Sequence, residues 1–256
     1  MSPPLWVWEL ASDFWSDAGT PEPFPRQLRG AATRVLPVRI LSVAGLRVAG
    51  ILAWLSDRDI FCDLSEPDRR LRACLVARNG NGLIFLDASD DVDEQRFSLA
   101  HEVAHFLRDY RQPRQRAERR LGRRVLEVHD GIRAPEPGER LHALLAGVPV
   151  GFHTHLLARD RDGRAEGAAA VAEHEADRLA WELLAPADAV LARSAGERDP
   201  RRAATAALRE FFVLPAAQAE RYAALLHPPA PRGDPLLARL RAAAKKNVEL
   251  PPSAPE

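Results

Sequence analysis

Cysteine is scarce in this chain: 256 residues hold only Cys62 and Cys74. The two form neither a disulfide framework nor a metal-spaced pair, which fits a reducing cytoplasmic setting. No unbroken apolar stretch approaches the roughly 18 residues that a bilayer-spanning helix needs, so no membrane role is expected. No charged segment followed by an apolar run opens the chain, so no signal peptide is expected. An excess of one charge is also missing. Lys and Arg number 36 against 36 Asp and Glu, so formal net charge alone points to neither nucleic acid nor a membrane surface. Nearly all the basic residues are Arg, a compositional habit that says nothing of mechanism. Histidine is sparse as well, at eight residues, so an ordered histidine pattern stands out. The remainder, 46% hydrophobic, is enough for one large domain or a domain with a small module.

Such a pattern is present. Phe97-Ser-Leu-Ala-His101-Glu102-Val-Ala-His105-Phe106-Leu107 places His-Glu-x-x-His inside an apolar, helix-forming run. Two histidines four residues apart share a helix face, about 6 Å apart along the axis. Both imidazoles can then reach one zinc ion at about 2.0–2.1 Å. Glu102 lies beside them and can take a proton from a zinc-bound water, which makes the pentad a metalloprotease signature. The plain alternative is a helix with two surface histidines and a solvated Glu.

Around the pentad the pattern is consistent. Residues 5–18 carry Leu5, Trp6, Trp8, Leu10, Phe14 and Trp15 at i+3/i+4 spacing, which predicts an amphipathic helix packed on the body. Its aromatics could line a groove, but core packing is the preferred reading. Arg26–Leu36 reads as helix. Residues 37–43 and 46–55 read as strand-like, the latter turning helical towards Trp54. Cys74–Arg78 and Leu83–Asp87 read as strands joined across Asn79-Gly80-Asn81-Gly82, a hairpin feeding the pentad helix. Asp90, Asp91 and Asp93 offer N-caps, and Asp91-x-x-Glu94 has capping-box spacing. The Arg-rich stretch 108–124 reads as a solvated helix, with a basic substrate-facing lip as the alternative.

A second strong helix is expected over Ala168–Pro186. Ala172, Glu175, Ala176, Leu179 and Leu183 form an apolar stripe in which Glu175 is the one charged member. A carboxylate on a packed face needs a partner, and a zinc ion held by His101 and His105 would supply one. A hydrolytic zinc usually takes three protein ligands and a water. Glu175 is the preferred third ligand, with Glu173 on a neighbouring face and His153 or His155 as alternatives. Asp177 suits a carboxylate orienting a ligand imidazole. For the donor to the tetrahedral intermediate, His153, His155 and Tyr110 are the candidates. Leu83–Asp87 is the strand expected to offer an edge to an extended substrate. Ala203–Phe212 and Ala217–Leu226 form two further helices with a helix-turn-helix outline. From Pro228 the chain is Pro-rich and expected to be disordered.

On these residues the chain resembles the ImmA/IrrE family of zinc-dependent metallo-endopeptidases. The resemblance is carried by Gly82–Asp87, by Arg96–Phe106 around the pentad, and by Glu175-Ala-Asp-Arg-Leu-Ala-Trp-Glu-Leu-Leu-Ala-Pro186. The stretch Leu208–Tyr222 is similar to the family's helical tail. It implies one Zn2+ per chain on His101, His105 and Glu175, with Glu102 as base. It also implies limited proteolysis of a regulatory protein, such as a helix-turn-helix repressor, in stress or mobile-element regulation. Leu179 stands where the family has Phe, and the connection from His105 to the second motif is long.

The expected architecture is α+β: a mostly helical zincin-like fold with a small mixed or antiparallel sheet ahead of the pentad helix and a C-terminal helix-turn-helix-like element. The expected parts are a helical arm over 1–29, a core over 30–190 with an insertion at 111–170, the C-terminal element over 191–227 and a tail over 228–256. Two rivals accompany the peptidase reading. One is a DNA-binding regulator using residues 203–226, which the neutral charge and the pairing of Arg209 and Arg221 with Glu210 and Glu220 disfavour. The other is an inactive scaffold keeping zinc for folding, which would have no need of Glu102.

Overall fold

A computed structural model describes residues 3–19, 23–60, 62, 66–130, 132–140, 153–158 and 167–228. The tail expected from Pro228 onwards lies almost wholly outside the described residues. Among them no helix is long and apolar enough to cross a membrane.

The architecture is a mostly helical α+β fold with one four-stranded mixed sheet. Its strands are β1 (Val38–Val43), β2 (Leu71–Arg78), β3 (Asn81–Asp87) and β4 (His153–Ala158), in the order β1-β3-β2-β4. β1 runs parallel to β3, while β2 is antiparallel to both β3 and β4. The β2–β3 turn is tight because Asn79 and Gly80 both take positive φ, 53° and 79°. That is the backbone a two-residue hairpin turn demands.

Alternation along the strands sends side chains to two separate cores. Ala73, Leu75, Ala77, Ile84 and Leu86 join the main core. Cys74, Val76 and Phe85 turn the other way, onto α3 (Val48–Ser56) with its buried Val48, Ile51 and Leu55. Burial on both faces explains why β2 reads as a nearly continuous apolar run. Residues 46–55, expected to be strand-like, are chiefly this helix. The run is apolar almost throughout, so a period of two and one of 3.6 were both readable. Its 48/51/55 spacing decides for helix.

The pentad helix α4 (Val92–His105) crosses the main face of the sheet and packs against α7 (Ala168–Leu184). Asp91 takes the N-cap position but its side chain makes no capping bond, so the expected capping box does not form. Asp93 accepts instead from the Glu94 amide at 2.9 Å. A π-helical turn, Phe106–Arg111, follows α4 and leads into α5 (Gln112–Leu121) and α6 (Val125–His129). The N-terminal α1 (Leu5–Ala18) buries Val7, Ala11, Phe14 and Trp15 and packs on α7 and on α2 (Leu28–Val35). After α7 come α8 (Ala187–Ser194), α9 (Pro200–Glu210) and α10 (Ala216–Leu226).

Two findings alter the expected layout. β3 is bonded on both sides, to β1 and β2, so Leu83–Asp87 has no edge for a substrate strand. The sheet edges are β1 and β4, and β4 comes from within the 111–170 stretch expected as an insertion.

Gly82 is where the π-helical turn meets the sheet. A Cβ there would lie 2.9 Å from the Phe106 ring and 3.0 Å from Val38. Overfilling such a contact costs about 1–3 kcal/mol. Gly82→Ala is therefore expected to lower the melting temperature by a few degrees, roughly 2–4 °C per kcal/mol at this chain length. Thermal unfolding followed by circular dichroism checks it, and an unchanged midpoint would show that Phe106 moves aside freely.

Candidate metal centre

Nine consecutive residues of α4, from Phe97 to His105, are buried. The apolar members Phe97, Leu99, Ala100, Val103 and Ala104 fill the core, which fixes the helix rotation. That rotation leaves His101, Glu102 and His105, themselves buried, aimed at α7 and β4. Buried polar groups require partners, and each of the three has them.

The imidazoles are held from behind. His101 Nδ1 lies 3.1 Å from Asp177 Oδ1, and His105 Nδ1 lies 2.6 Å from Asp109 Oδ2. A carboxylate on Nδ1 places the ring proton there and leaves the Nε2 lone pair free. The two Nε2 atoms stand 3.1 Å apart. Glu173 completes the triangle, with its oxygens 3.4 Å from His101 Nε2 and 3.6 Å from His105 Nε2. Four ligands at zinc distances on a tetrahedron are separated by about 3.4 Å. The three spacings therefore match atoms converging on one small cation, and the donor set of two imidazoles and a carboxylate fits zinc chemistry.

His155 closes the fourth side. On β4, His153 and His155 point to the same face because strand side chains alternate. His155 pairs in register with Leu75 and His153 with Ala77. Nδ1 of His155 lies 2.9 Å from Glu102 Oε2, and its Nε2 lies 2.7 Å from Glu173 Oε1. Its ring stacks on His105 with centroids 3.7 Å apart. With a carboxylate at each nitrogen, the doubly protonated ring satisfies both contacts.

The electrostatics follow this geometry. Burial works against a charged His155, but Glu102 and Glu173 outweigh it and push its pKa up to about 10. His101 is raised in the same way, Asp177 and Glu173 overcoming burial. His105 is driven well down by burial and by the positive charge of His155 and His101. Glu173 is held far below the usual carboxylate range by His101 and His155, despite the opposite pull of burial. Burial raises Asp109.

The expected site residues are not all brought together. Asp177 stands behind His101. Glu175, the expected third ligand, points instead to Arg108, whose guanidinium also holds Asp109. Glu173 occupies the position expected of Glu175. The reason lies in the helix: Ala176, Leu179 and Leu183 of the expected stripe are buried, but the side turned to the histidines runs through Glu173 and Asp177, which leaves Glu175 beside Arg108. Alanines on every side left its rotation ambiguous in the apolar pattern. Tyr110 is directed to the hairpin, where its oxygen accepts from the Gly80 amide at 2.7 Å. His153 sits beside His105 and Asp109, and burial lowers its pKa.

Asp109 had not been singled out, although its i+4 spacing from His105 repeats that of the two histidines. An open cleft of about 610 Å³ borders the centre, lined among others by Trp6, Arg108, Arg116, His153 and Ala172. One aromatic of the first helix thus does face a groove while Phe14 and Trp15 pack and Trp8 stays exposed, and the Arg-rich stretch supplies two groups to the cleft wall.

Residues 58–126 match the Peptidase_M78 model, described as the IrrE N-terminal-like domain. No curated protein and no solved structure matches the chain. The matched stretch contains β2, β3, the pentad helix and Asp109, and its family points to a peptidase, a hydrolase. For the segment that carries His101, Glu102 and His105, the match supports the ImmA/IrrE family of metallopeptidases.

Proposed function

We propose that this chain is a zinc-dependent endopeptidase with His101, His105 and Glu173 as the metal ligands and Glu102 as the general base. The observation that carries the reading is the convergence of two imidazole nitrogens and one carboxylate next to Glu102: the Nε2 atoms of His101 and His105 lie 3.1 Å apart, with Glu173 Oε2 3.4 Å from the first and Oε1 3.6 Å from the second. His101, His105 and Glu173 would hold the zinc, which would supply a water with its pKa lowered towards about 7 and a Lewis acid for the scissile carbonyl.

The chain's own residues do the rest. Asp177 and Asp109 keep both imidazoles turned inward. Glu102 takes the proton of the attacking water and passes it to the leaving amide nitrogen. His155, with Nδ1 2.9 Å from Glu102 Oε2, holds the base in place beside the centre. Among the described residues β4 is bonded on one side, to β2, so it replaces β3 as the strand that an extended substrate can join. Such a substrate would lie against Trp6 and the Arg108–Arg116 wall of the cleft. A segment of a cytoplasmic regulator, such as a helix-turn-helix repressor cut at one place, suits this mode because it can be drawn out as a strand.

Three outcomes are expected. Glu102→Gln retains zinc and loses about 10²–10⁴-fold in peptide cleavage; cleavage at the wild-type rate would remove Glu102 from the role of base. Glu173→Ala loses most of its zinc after dialysis while Glu175→Ala keeps it, as read by elemental analysis. The reverse pattern would return Glu175 to the ligand set. In co-expression with DNA-binding proteins from neighbouring genes, a fragment appears with wild type and is absent with Glu102→Gln. Fragments with both would assign the cut to another protease.

A further inference from the structure

Of the two C-terminal helices outlined as a DNA-reading element, α9 keeps Arg201, Arg202 and Arg209 exposed, while α10 is turned towards the metal centre. On α10 the fully exposed positions are Ala216, Ala217 and Glu220, which offer no basic side chain to a phosphate. Its one arginine, Arg221, reaches back into the body. Arg221 Nη2 lies 2.9 Å from Asp177 Oδ2, and the other oxygen of that carboxylate lies 3.1 Å from His101 Nδ1. Asp177 is buried, so its two oxygens have these two fixed partners and little room to turn.

The same element holds the other ligand-bearing helix. Arg96, on α4, donates to the carbonyls of Phe212 at 3.2 Å and Val213 at 3.4 Å, and to that of Arg26 at 3.2 Å. Val213 sits at φ 55°, an uncommon place for a β-branched residue, in the turn between α9 and α10. Phe212 and Leu214 on either side are buried and anchor that turn. Next to Arg221, Tyr222 stacks on Trp181 of α7 with centroids 5.0 Å apart, and its hydroxyl donates to Glu182 at 3.4 Å. Thus α4 is tied to the turn before α10, and α7 to α10 itself.

We infer that the C-terminal helical pair is a brace for the metal centre, in which Arg221 positions Asp177 and through it His101. The inference rests on the reading of His101, His105 and Glu173 as metal ligands. Holding Oδ2 leaves Oδ1 aimed at Nδ1, which keeps the Nε2 lone pair pointed at the centre. Arg221 touches neither ligand atoms nor substrate, so it is a positioning residue. Removing an outer partner of a ligand commonly weakens metal binding about 10–100-fold. Arg221 acts one contact further out, so its removal is expected to cost roughly 3–30-fold.

The test is competition for zinc between the full chain and a chromogenic chelator, with wild type, Arg221→Met, Arg221→Lys, Asp177→Ala and Glu173→Ala. Each variant's metal-free circular dichroism is recorded alongside, and Arg221→Gln replaces the Met variant if that does not fold. The expected result is a zinc Kd raised several-fold in Arg221→Met, partly restored in Arg221→Lys, and raised further in Asp177→Ala. Cobalt loaded in place of zinc should show an altered visible spectrum in Arg221→Met, which loss of a surface ion pair would not produce. A zinc Kd in Arg221→Met within twofold of wild type, with Asp177→Ala weakened, overturns the brace and leaves the ligand set standing. Equal zinc binding by wild type and Glu173→Ala overturns the ligand set itself.

Discussion

The structure depends on the orientation of two imidazoles. A histidine ring can present either nitrogen, and a buried ring without a fixed partner presents neither reliably. Here Asp177 and Asp109 take the Nδ1 side of His101 and His105, and the Nε2 atoms have only each other and Glu173 to face. Two lone pairs 3.1 Å apart beside a carboxylate repel unless something positive lies between them. In the described chain the nearest positive charge is the protonated His155, stacked on the His105 ring and clamped by Glu173 and Glu102. Proton and metal ion are alternative answers to one local requirement. The shifts of Glu173, downwards, and of His155, upwards, both express it.

The rest of the fold can be read as what this requirement imposes. The two helices that carry the proposed ligands pack against each other, and Ala100 and Ala104 on one and Ala176 and Ala180 on the other are all fully buried. A continuous α-helix would carry His105 and Asp109 onto one face. The π-helical turn after His105 preserves that contact while bringing Phe106 down onto Gly82 and Tyr110 onto the hairpin. Insertions of this kind often accompany functional sites because they re-aim side chains without ending the helix. The sheet contributes through parity: β4 must run antiparallel to β2 in a register that sets His155 opposite Leu75, on the face that α4 covers.

How far this was legible in the sequence differs from residue to residue. The pentad and the hairpin ahead of it were readable because each is local. Histidines at i and i+4, and Asn-Gly at a turn, act through the nearest few residues. The rotation of α7 was not, because its apolar pattern is nearly uniform in alanine. Two stripes share Ala176, and the one with Glu175 looked as good as the one with Glu173. The 46–55 region, helical in the fold, was read as strand-like for a similar reason, being too apolar for its period to show. β4 was missed as a strand because His153-Thr-His-Leu-Leu-Ala158 is short and alternates weakly, and its partner β2 lies some 80 residues away. The free edge was misplaced for the same cause: which strand is central is a property of pairing, and β1 and β4 flank the hairpin only in three dimensions.

The C-terminal helices show why an outline is weaker than a contact. Two helices joined by a short turn suit DNA reading as well as they suit packing, and the spacing alone cannot choose. On α10 the direction of Arg221 favours packing, while α9 keeps Arg201, Arg202 and Arg209 exposed. A side chain engaged with Asp177 at 2.9 Å, over the ring of Trp181, is not available to a phosphate. An aspartate already committed to His101 gains no freedom from that pairing; it loses some, and the loss is what an imidazole ligand requires of the group behind it. The metal centre therefore draws on three separated stretches of chain. In the proposed reading the pentad provides two imidazoles and the base, α7 provides a carboxylate and its neighbour four residues on, and α10 provides the cation that fixes that neighbour. A site assembled in this way binds its metal only as well as all three stretches hold their relative places.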